Sequence, residues 1–167
     1  MKRLVVLAGA LVLAAPAAAR AQGPVQVSLG YSFAVYLEDD GGSAPVGACL
    51  ALSGRQGLSP ELDLGWQRDS EDFFDESITL NTFTFVAGPR YEFATSGAVR
   101  PFLHVLGGGR YDTIEGESNT AWGGFAGGGI DVEAGDRIAI RLGADFQIFF
   151  EHDEHVKTLR LGAGITF

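Results

Sequence analysis

Few residues in the chain could carry out chemistry, and the histidines are the first to consider. Two of the three lie in the run Glu151-His152-Asp153-Glu154-His155. Imidazole and carboxylate groups so close in sequence could bind a transition metal, although the run lacks the four-ligand spacing of a zinc site. It also has the composition of an ordinary charged loop. We therefore expect no metal and no cofactor, and His152 and His155 remain the only metal candidates.

The third histidine, His104, could serve as a catalytic base only with a nucleophile beside it. It falls on the polar face of an alternating segment, and no serine is placed to act as its nucleophile. A histidine among charged residues is more often part of a charge network. We therefore predict no catalytic residue and no enzymatic activity.

Charged residues recur at every second position of otherwise apolar segments, on one face. This set has five acids, five arginines and one histidine: Glu61, Asp63, Arg90, Glu92, Arg100, His104, Arg110, Asp131, Arg141, Asp145 and Arg160. Arginine forks suit carboxylates, so the face can be electrically neutral. We predict that these residues form a charge network in the lumen of a barrel.

Strands must position these residues, because the alternation has a period of two. Eight segments show it, at residues 25–36, 46–53, 61–68, 78–93, 99–111, 121–132, 137–150 and 157–167. Val86, Phe102 and Leu106 interrupt the pattern by falling on the polar face. The even number of strands, with short turns alternating with longer loops, predicts an all-β, eight-stranded antiparallel up-and-down transmembrane barrel.

The composition of the polar face indicates which face lies inside. It contains many glycines, among them Gly30, Gly65 and Gly143. Glycine weakens a strand, but in a narrow interior small side chains leave room for long ones. We therefore expect the polar face inside and the uncharged apolar face towards lipid. A soluble lipocalin-like carrier, with the apolar face inside, is the alternative.

Bulky aromatic residues of the apolar face lie near the strand ends, as in the interfacial girdles of membrane barrels. The predicted girdle consists of Trp66, Tyr111, Trp122 and Phe150 at the outer end and Tyr91 and Phe93 at the periplasmic end. The single cysteine, Cys49, excludes an internal disulfide and is expected to fill space on a strand.

The N-terminus predicts export. A basic start is followed by an apolar run over residues 4–19 and by the small-x-small site Ala19-Arg20-Ala21. The run is shorter than the roughly 20 residues of a helical membrane span. We expect a cleaved signal peptide at residues 1–21 and one barrel domain at residues 22–167, with both barrel termini in the periplasm.

The acidic residues are concentrated in the predicted outer loops, and the formal net charge is −9. Fourteen of the 21 lie there: Glu38, Asp39, Asp40, Asp69, Glu71, Asp72, Asp75, Glu76, Asp112, Glu115, Glu117, Glu151, Asp153 and Glu154. This charge argues against nucleic acid as a partner. The loops could form a solvated rim, or bind divalent cations that bridge to lipopolysaccharide phosphates.

Short motifs resemble a known family. Gly88-Pro89-Arg90-Tyr91-Glu92-Phe93 precedes Arg100-Pro101-Phe102, Arg141 stands four residues before Asp145, and the last strand alternates Leu161, Ala163, Ile165 and Phe167. The chain thus resembles the small outer-membrane β-barrel domain family, which includes the eight-stranded domain of outer-membrane protein A and porin-like relatives. The resemblance implies recognition of the final strand by the barrel assembly machinery. The peptidoglycan-binding domain of some relatives is not expected here.

Together these features predict a monomeric integral barrel of the cell outer membrane, in contact with outer-membrane lipid and lipopolysaccharide. Its lumen should be filled by side chains, because eight strands leave no room for a wide channel. The expected function is structural or surface-interacting, and non-enzymatic. The alternatives are a narrow gated ion pore, a lipid-modifying enzyme and the soluble carrier.

Overall fold

Eight antiparallel strands form a closed barrel in the computed structural model. The structure describes residues 25–37, 45–73, 76–114, 117–151 and 154–167, so the predicted signal peptide lies outside the described residues. The strands are β1 (Val25–Tyr36), β2 (Val46–Gly54), β3 (Gly57–Phe73), β4 (Glu76–Glu92), β5 (Val99–Ile114), β6 (Glu117–Glu133), β7 (Ala139–Glu151) and β8 (Glu154–Thr166). Each strand pairs with the next in the chain, and β8 pairs with β1. The predicted up-and-down barrel is confirmed. Among the described residues, no helix is long and apolar enough to cross a membrane.

The two ends of the barrel differ. We call the end with the β2–β3, β4–β5 and β6–β7 connections the turn end; Val25 and Phe167 also lie there. The opposite end, where β3 and β4, β5 and β6, and β7 and β8 connect, is the hairpin end.

The register around the barrel gives its shear. Starting at Ser28, successive pairs lead through Ala51, Asp63, Val86, Gly108, Gly123 and Phe149 to Val156. Ser28 itself pairs with Thr166, ten positions beyond Val156 on β8. Eight strands with this stagger are strongly tilted, by about 35–45°, and leave an interior just wide enough for side chains.

Three predicted loops are mostly strand. Residues 69–76, 113–120 and 151–156 were expected to be loops, but β3 to β8 extend into all three, so that prediction is wrong. An alternating pattern arises only where one face of a strand is buried. Beyond that region polar residues can continue the hydrogen-bond ladder, and the sequence then carries no signal for the strand.

The polar face lies inside and the large apolar side chains lie outside. Trp122, for example, is 70% exposed, whereas Asp131 and Arg90 are fully buried. This arrangement is the reverse of a lipocalin-like carrier. Val86, Leu106, Ala121, Phe125 and Phe149 pack together inside as an apolar cluster, which explains why Val86 and Leu106 interrupt the alternation.

Glycines allow close approach where the barrel closes. Gly30 of β1 pairs with Gly164 of β8. A Cβ atom on Gly30 would lie 2.6 Å from the carbonyl oxygen of Ala163, so the strands could not keep this spacing with a larger residue.

Candidate functional site

The charged residues of the interior form three groups along the barrel axis. We name them the turn-end cluster (Arg90, Glu92, Asp131 and Arg141), the central cluster (Glu61, Asp63, His104, Asp145 and Arg160) and the hairpin-end cluster (Thr82, Arg110 and Asp112).

Asp131 is the hub of the turn-end cluster. It accepts hydrogen bonds from Arg90 Nη2 at 3.0 Å and from Arg141 Nε and Nη2, both at 2.8 Å. Arg90 Nη2 also donates to Glu92 at 2.9 Å. Because these residues stand on β4, β6 and β7, one carboxylate ties three strands together across the interior.

Phe102 completes this cluster. The Arg90 guanidinium lies 4.0 Å and the Arg141 guanidinium 4.7 Å from the centre of its ring. Cation–π attraction is strongest in desolvated sites, so an aromatic residue is well placed between two buried arginines. The Arg160 guanidinium likewise lies 4.5 Å from the centre of the Phe125 ring.

His104 of β5 links two further strands, β3 and β7, in the central cluster. Its Nδ1 lies 3.1 Å from Glu61 Oε2 and its Nε2 lies 2.7 Å from Asp145 Oδ1. A neutral imidazole has only one N–H donor, so both contacts are hydrogen bonds only when the ring carries a positive charge. His104 therefore acts as a cation in a network, with no free nitrogen to serve as a base.

Arg160 joins the same cluster from β8. Its Nη1 and Nη2 donate to the two oxygens of Asp63 at 2.9 and 3.1 Å. Its Nε and Nη2 donate to Asp145 Oδ2 at 2.9 and 2.6 Å. Bidentate pairing of this kind fixes geometry as well as charge.

The remaining predicted network residues lie towards the two ends. Arg110 Nε lies 2.7 Å from Asp112 Oδ2, and Thr82 donates to Asp112 at 2.5 Å. Asp112 is 7% exposed, so its assignment to an outer loop was wrong: the inward parity of β5 continues to that position. Arg100 lies at the turn end, where its Nη1 donates to Glu133 at 2.6 Å.

A cavity of about 50 Å³ lies beside the central cluster. Small residues of β1, β2, β7 and β8 form much of its wall, and the half-buried free thiol of Cys49 faces it. A water needs roughly 10–15 Å³ of such space, so the cavity can hold a few waters.

The predicted girdle and final-strand residues lie on the outside of the barrel. Trp66 and Tyr111 both pair with Phe83 and so share one row, and Trp122 pairs with Phe150 in the hairpin-end half. Tyr91 and Phe93 make an edge-to-face contact at 4.9 Å near the turn end. Leu161, Ala163 and Ile165 lie on the outward face of β8, and the Phe167 N–H donates to Val27 O at 2.9 Å.

Of the two candidate metal ligands, His152 and His155, the structure describes only His155. His152 lies outside the described residues, whereas His155 is exposed with its ring 6.1 Å from that of Phe150. Within the described ranges, no group of three or more His, Cys, Asp or Glu residues could hold a metal ion.

Sequence reasoning missed several neutral partners of the network. Gln26 donates to Glu92 at 3.1 Å, Ser53 accepts from Arg90 at 3.1 Å, and Gln67 donates to Ser32 at 3.3 Å. All four lie on the inward parity of their strands. The alternation that located the charges could also have found these residues.

Comparison with known proteins places the chain among membrane barrels. Residues 5–167 match the sequence model of the outer membrane protein beta-barrel domain. No curated protein matches the sequence. Among solved structures, Neisserial surface protein A has a TM-score of 0.69 at 14% identity, covering 86% of this chain and 96% of that one.

Two further structures have similar folds. OprG from Pseudomonas aeruginosa has a TM-score of 0.56 at 10% identity, covering 86% of this chain and 95% of that one. Ail, the attachment invasion locus protein of Yersinia pestis, in complex with the heparin analogue sucrose octasulfate, has a TM-score of 0.54 at 19% identity, covering 86% and 97%. At these identities the likeness shows the fold alone.

Proposed function

The chain belongs to the outer membrane protein β-barrel domain family and is an integral protein of the outer membrane, and from that premise we propose that it works through its outward surface, with a sealed lumen and no enzymatic activity. The observation that carries the proposal is the interior itself. Arg–carboxylate clusters fill the turn-end and central levels, and the apolar cluster around Phe125 and Phe149 packs towards the hairpin end. Such an interior supports a structural or surface-interaction role.

The proposed orientation puts the turn end in the periplasm and the hairpin end outside the cell. The acidic residues of the hairpin end then meet the phosphate groups of lipopolysaccharide across divalent cations, and they disfavour nucleic acid as a partner. A closed barrel has no strand edge within the described ladder, which supports a monomer. The absence of catalysis is supported by His104, both of whose ring nitrogens contact carboxylates; altered lipid A masses on overproduction would contradict it.

The sealed lumen can be tested with Cys49, the only cysteine of the chain. A charged methanethiosulfonate reagent should modify Cys49 at least about 100-fold more slowly in the folded barrel than in urea, because the thiol lies on the inward side of β2 beside the central cluster. Planar bilayers containing the protein should show no single-channel steps.

A matched variant controls for reagent access. Cys49→Ser combined with Ser118→Cys puts the thiol on an exposed position of β6 and should react rapidly when folded. Rapid modification of Cys49, with conductance steps that modification reduces, would instead establish the narrow pore.

Phe167 is proposed to be the signal that the barrel assembly machinery recognises. Its deletion should slow outer-membrane assembly in cells while the purified chain still refolds in detergent, because only one backbone pair with Val27 is lost. The fraction of heat-modifiable protein in outer-membrane preparations measures this. Normal assembly in cells would contradict the proposal; Phe93→Ala, an exposed aromatic at the same end, is the control.

A further inference from the structure

A second cavity, of about 100 Å³, opens at the turn end of the barrel. We call it the vestibule. Three arginines line it, Arg55, Arg100 and Arg137, together with Glu133, Asp136 and Thr166. It lies at the mouth of the lumen. Two of its arginines, Arg55 and Arg137, are exposed and play no part in the interior clusters or in the proposed outward function.

The vestibule has more hydrogen-bond donors than acceptors. Arg100 donates from Nη1 to Glu133 at 2.6 Å, and its buried Nε forms an ion pair with Glu92 Oε1 at 3.6 Å. Within the part of the chain that the structure describes, Arg55 and Arg137 form no ion pair, even though Asp136 lines the same cavity. Arginine can only donate hydrogen bonds, so these two exposed guanidinium groups leave the vestibule with donors that could be used by an anion.

The two unpaired arginines come from opposite sides of the mouth. Arg55 lies in the β2–β3 turn and Arg137 in the β6–β7 turn, and four strands separate these turns in either direction around the barrel. Both turns have defined conformations. Gln56 and Gly57 have φ values of 58° and 70°, and the Ala134 N–H donates to Ile138 O at 2.9 Å. The arginines are therefore held on either side of the vestibule rather than on free loops.

We propose that the vestibule binds an oxyanion, a carboxylate or phosphate group presented from the periplasm, between Arg55 and Arg137. The guanidinium fork matches both anions. A water needs roughly 10–15 Å³ of such space, so the cavity has room for one such group. The group could belong to a cell-wall peptide or to a phospholipid headgroup, which share this chemistry.

The test uses the full barrel in a non-ionic maltoside detergent, which supplies no phosphate of its own. Inorganic phosphate and N-acetyl-D-alanine are titrated separately by calorimetry at low ionic strength. Saturable binding should weaken about tenfold or more in Arg55→Gln/Arg137→Gln, because two charge-assisted contacts are lost. Arg68→Gln removes one exposed positive charge from the hairpin-end half of β3 and should leave binding unchanged.

The outcomes separate the sources as well as the proposal. Tighter binding of phosphate assigns the site to a phospholipid headgroup, and tighter binding of N-acetyl-D-alanine assigns it to a wall peptide. Equal binding by the parent and the double variant overturns the proposal, as does a heat change that follows ionic strength without saturating. Faster migration of unboiled samples on a denaturing gel confirms that each variant is folded before it is used.

Discussion

Replacing Asp131 with alanine should lower the free energy of unfolding by about 3–5 kcal/mol, the usual cost of removing one partner of a buried ion pair. Asp131 is fully buried and accepts hydrogen bonds from both Arg90 and Arg141. Without it two guanidinium groups lose their shared acceptor in an interior with little water. Urea unfolding followed by tryptophan fluorescence in detergent micelles would measure the change.

Two further variants test the explanation. Asp136→Ala removes an exposed carboxylate from the β6–β7 turn and should change stability by less than about 0.5 kcal/mol. Asp131→Leu combined with Arg141→Met should recover part of the loss, because Arg90 keeps Glu92 as its partner. A loss below about 1 kcal/mol for Asp131→Ala would mean that water solvates the arginines, and that the lumen is open.

Val105→Arg should destabilise the barrel in lipid by about 2–4 kcal/mol, the cost of an arginine on the lipid face near the bilayer midplane. Val105 points outward from the middle of β5 and is 62% exposed. Val99 has the same side chain, strand and outward parity, but it begins β5 at the turn end. Val99→Arg should therefore cost only about 0–1 kcal/mol.

The comparison of the two valines makes the result specific to membrane depth. Both variants are refolded into the same phospholipid vesicles and unfolded with urea. Equal losses would show that depth plays no role, and negligible loss at Val105 would mean that this face does not contact lipid. Neither substitution touches an interior cluster, so the lumen network is unaffected.

The fold was predictable because each strand in the half-buried region carries its own alternation. β7, for example, shows uninterrupted apolar residues from Ile140 to Phe150 at every second position. The extension of β3 to Phe73 was not predictable, since the residues from Asp69 to Asp72 are polar on both faces. Hydrogen-bond ladders between solvated strands leave no hydrophobic pattern in the sequence.

The alternation of polar and apolar residues also indicated which charged residues face the interior. It did not indicate which of them bind one another. Arg160 binds Asp63, which is 97 residues away, and Gln26 binds Glu92 across 66 residues. Such pairs are decided by the shear and tilt of the closed barrel, and a single sequence does not specify that stagger. The inward position of Phe102 was equally unpredictable, because its two cationic partners, Arg90 and Arg141, lie on β4 and β7 and meet it only in the closed barrel.

The seam between β1 and β8 has a consequence for the order of folding events. Seven of the eight strand pairings join neighbours in the chain, whereas this one brings together Ser28 and Thr166, 138 residues apart. Loop-closure entropy rises with the length of the closed segment, so the largest single cost falls on the seam. Contacts that are distant in sequence slow folding. The facing glycines Gly30 and Gly164 leave their own pair in that junction without side chains, so the strands can approach closely there after the seven local hairpin ladders have formed.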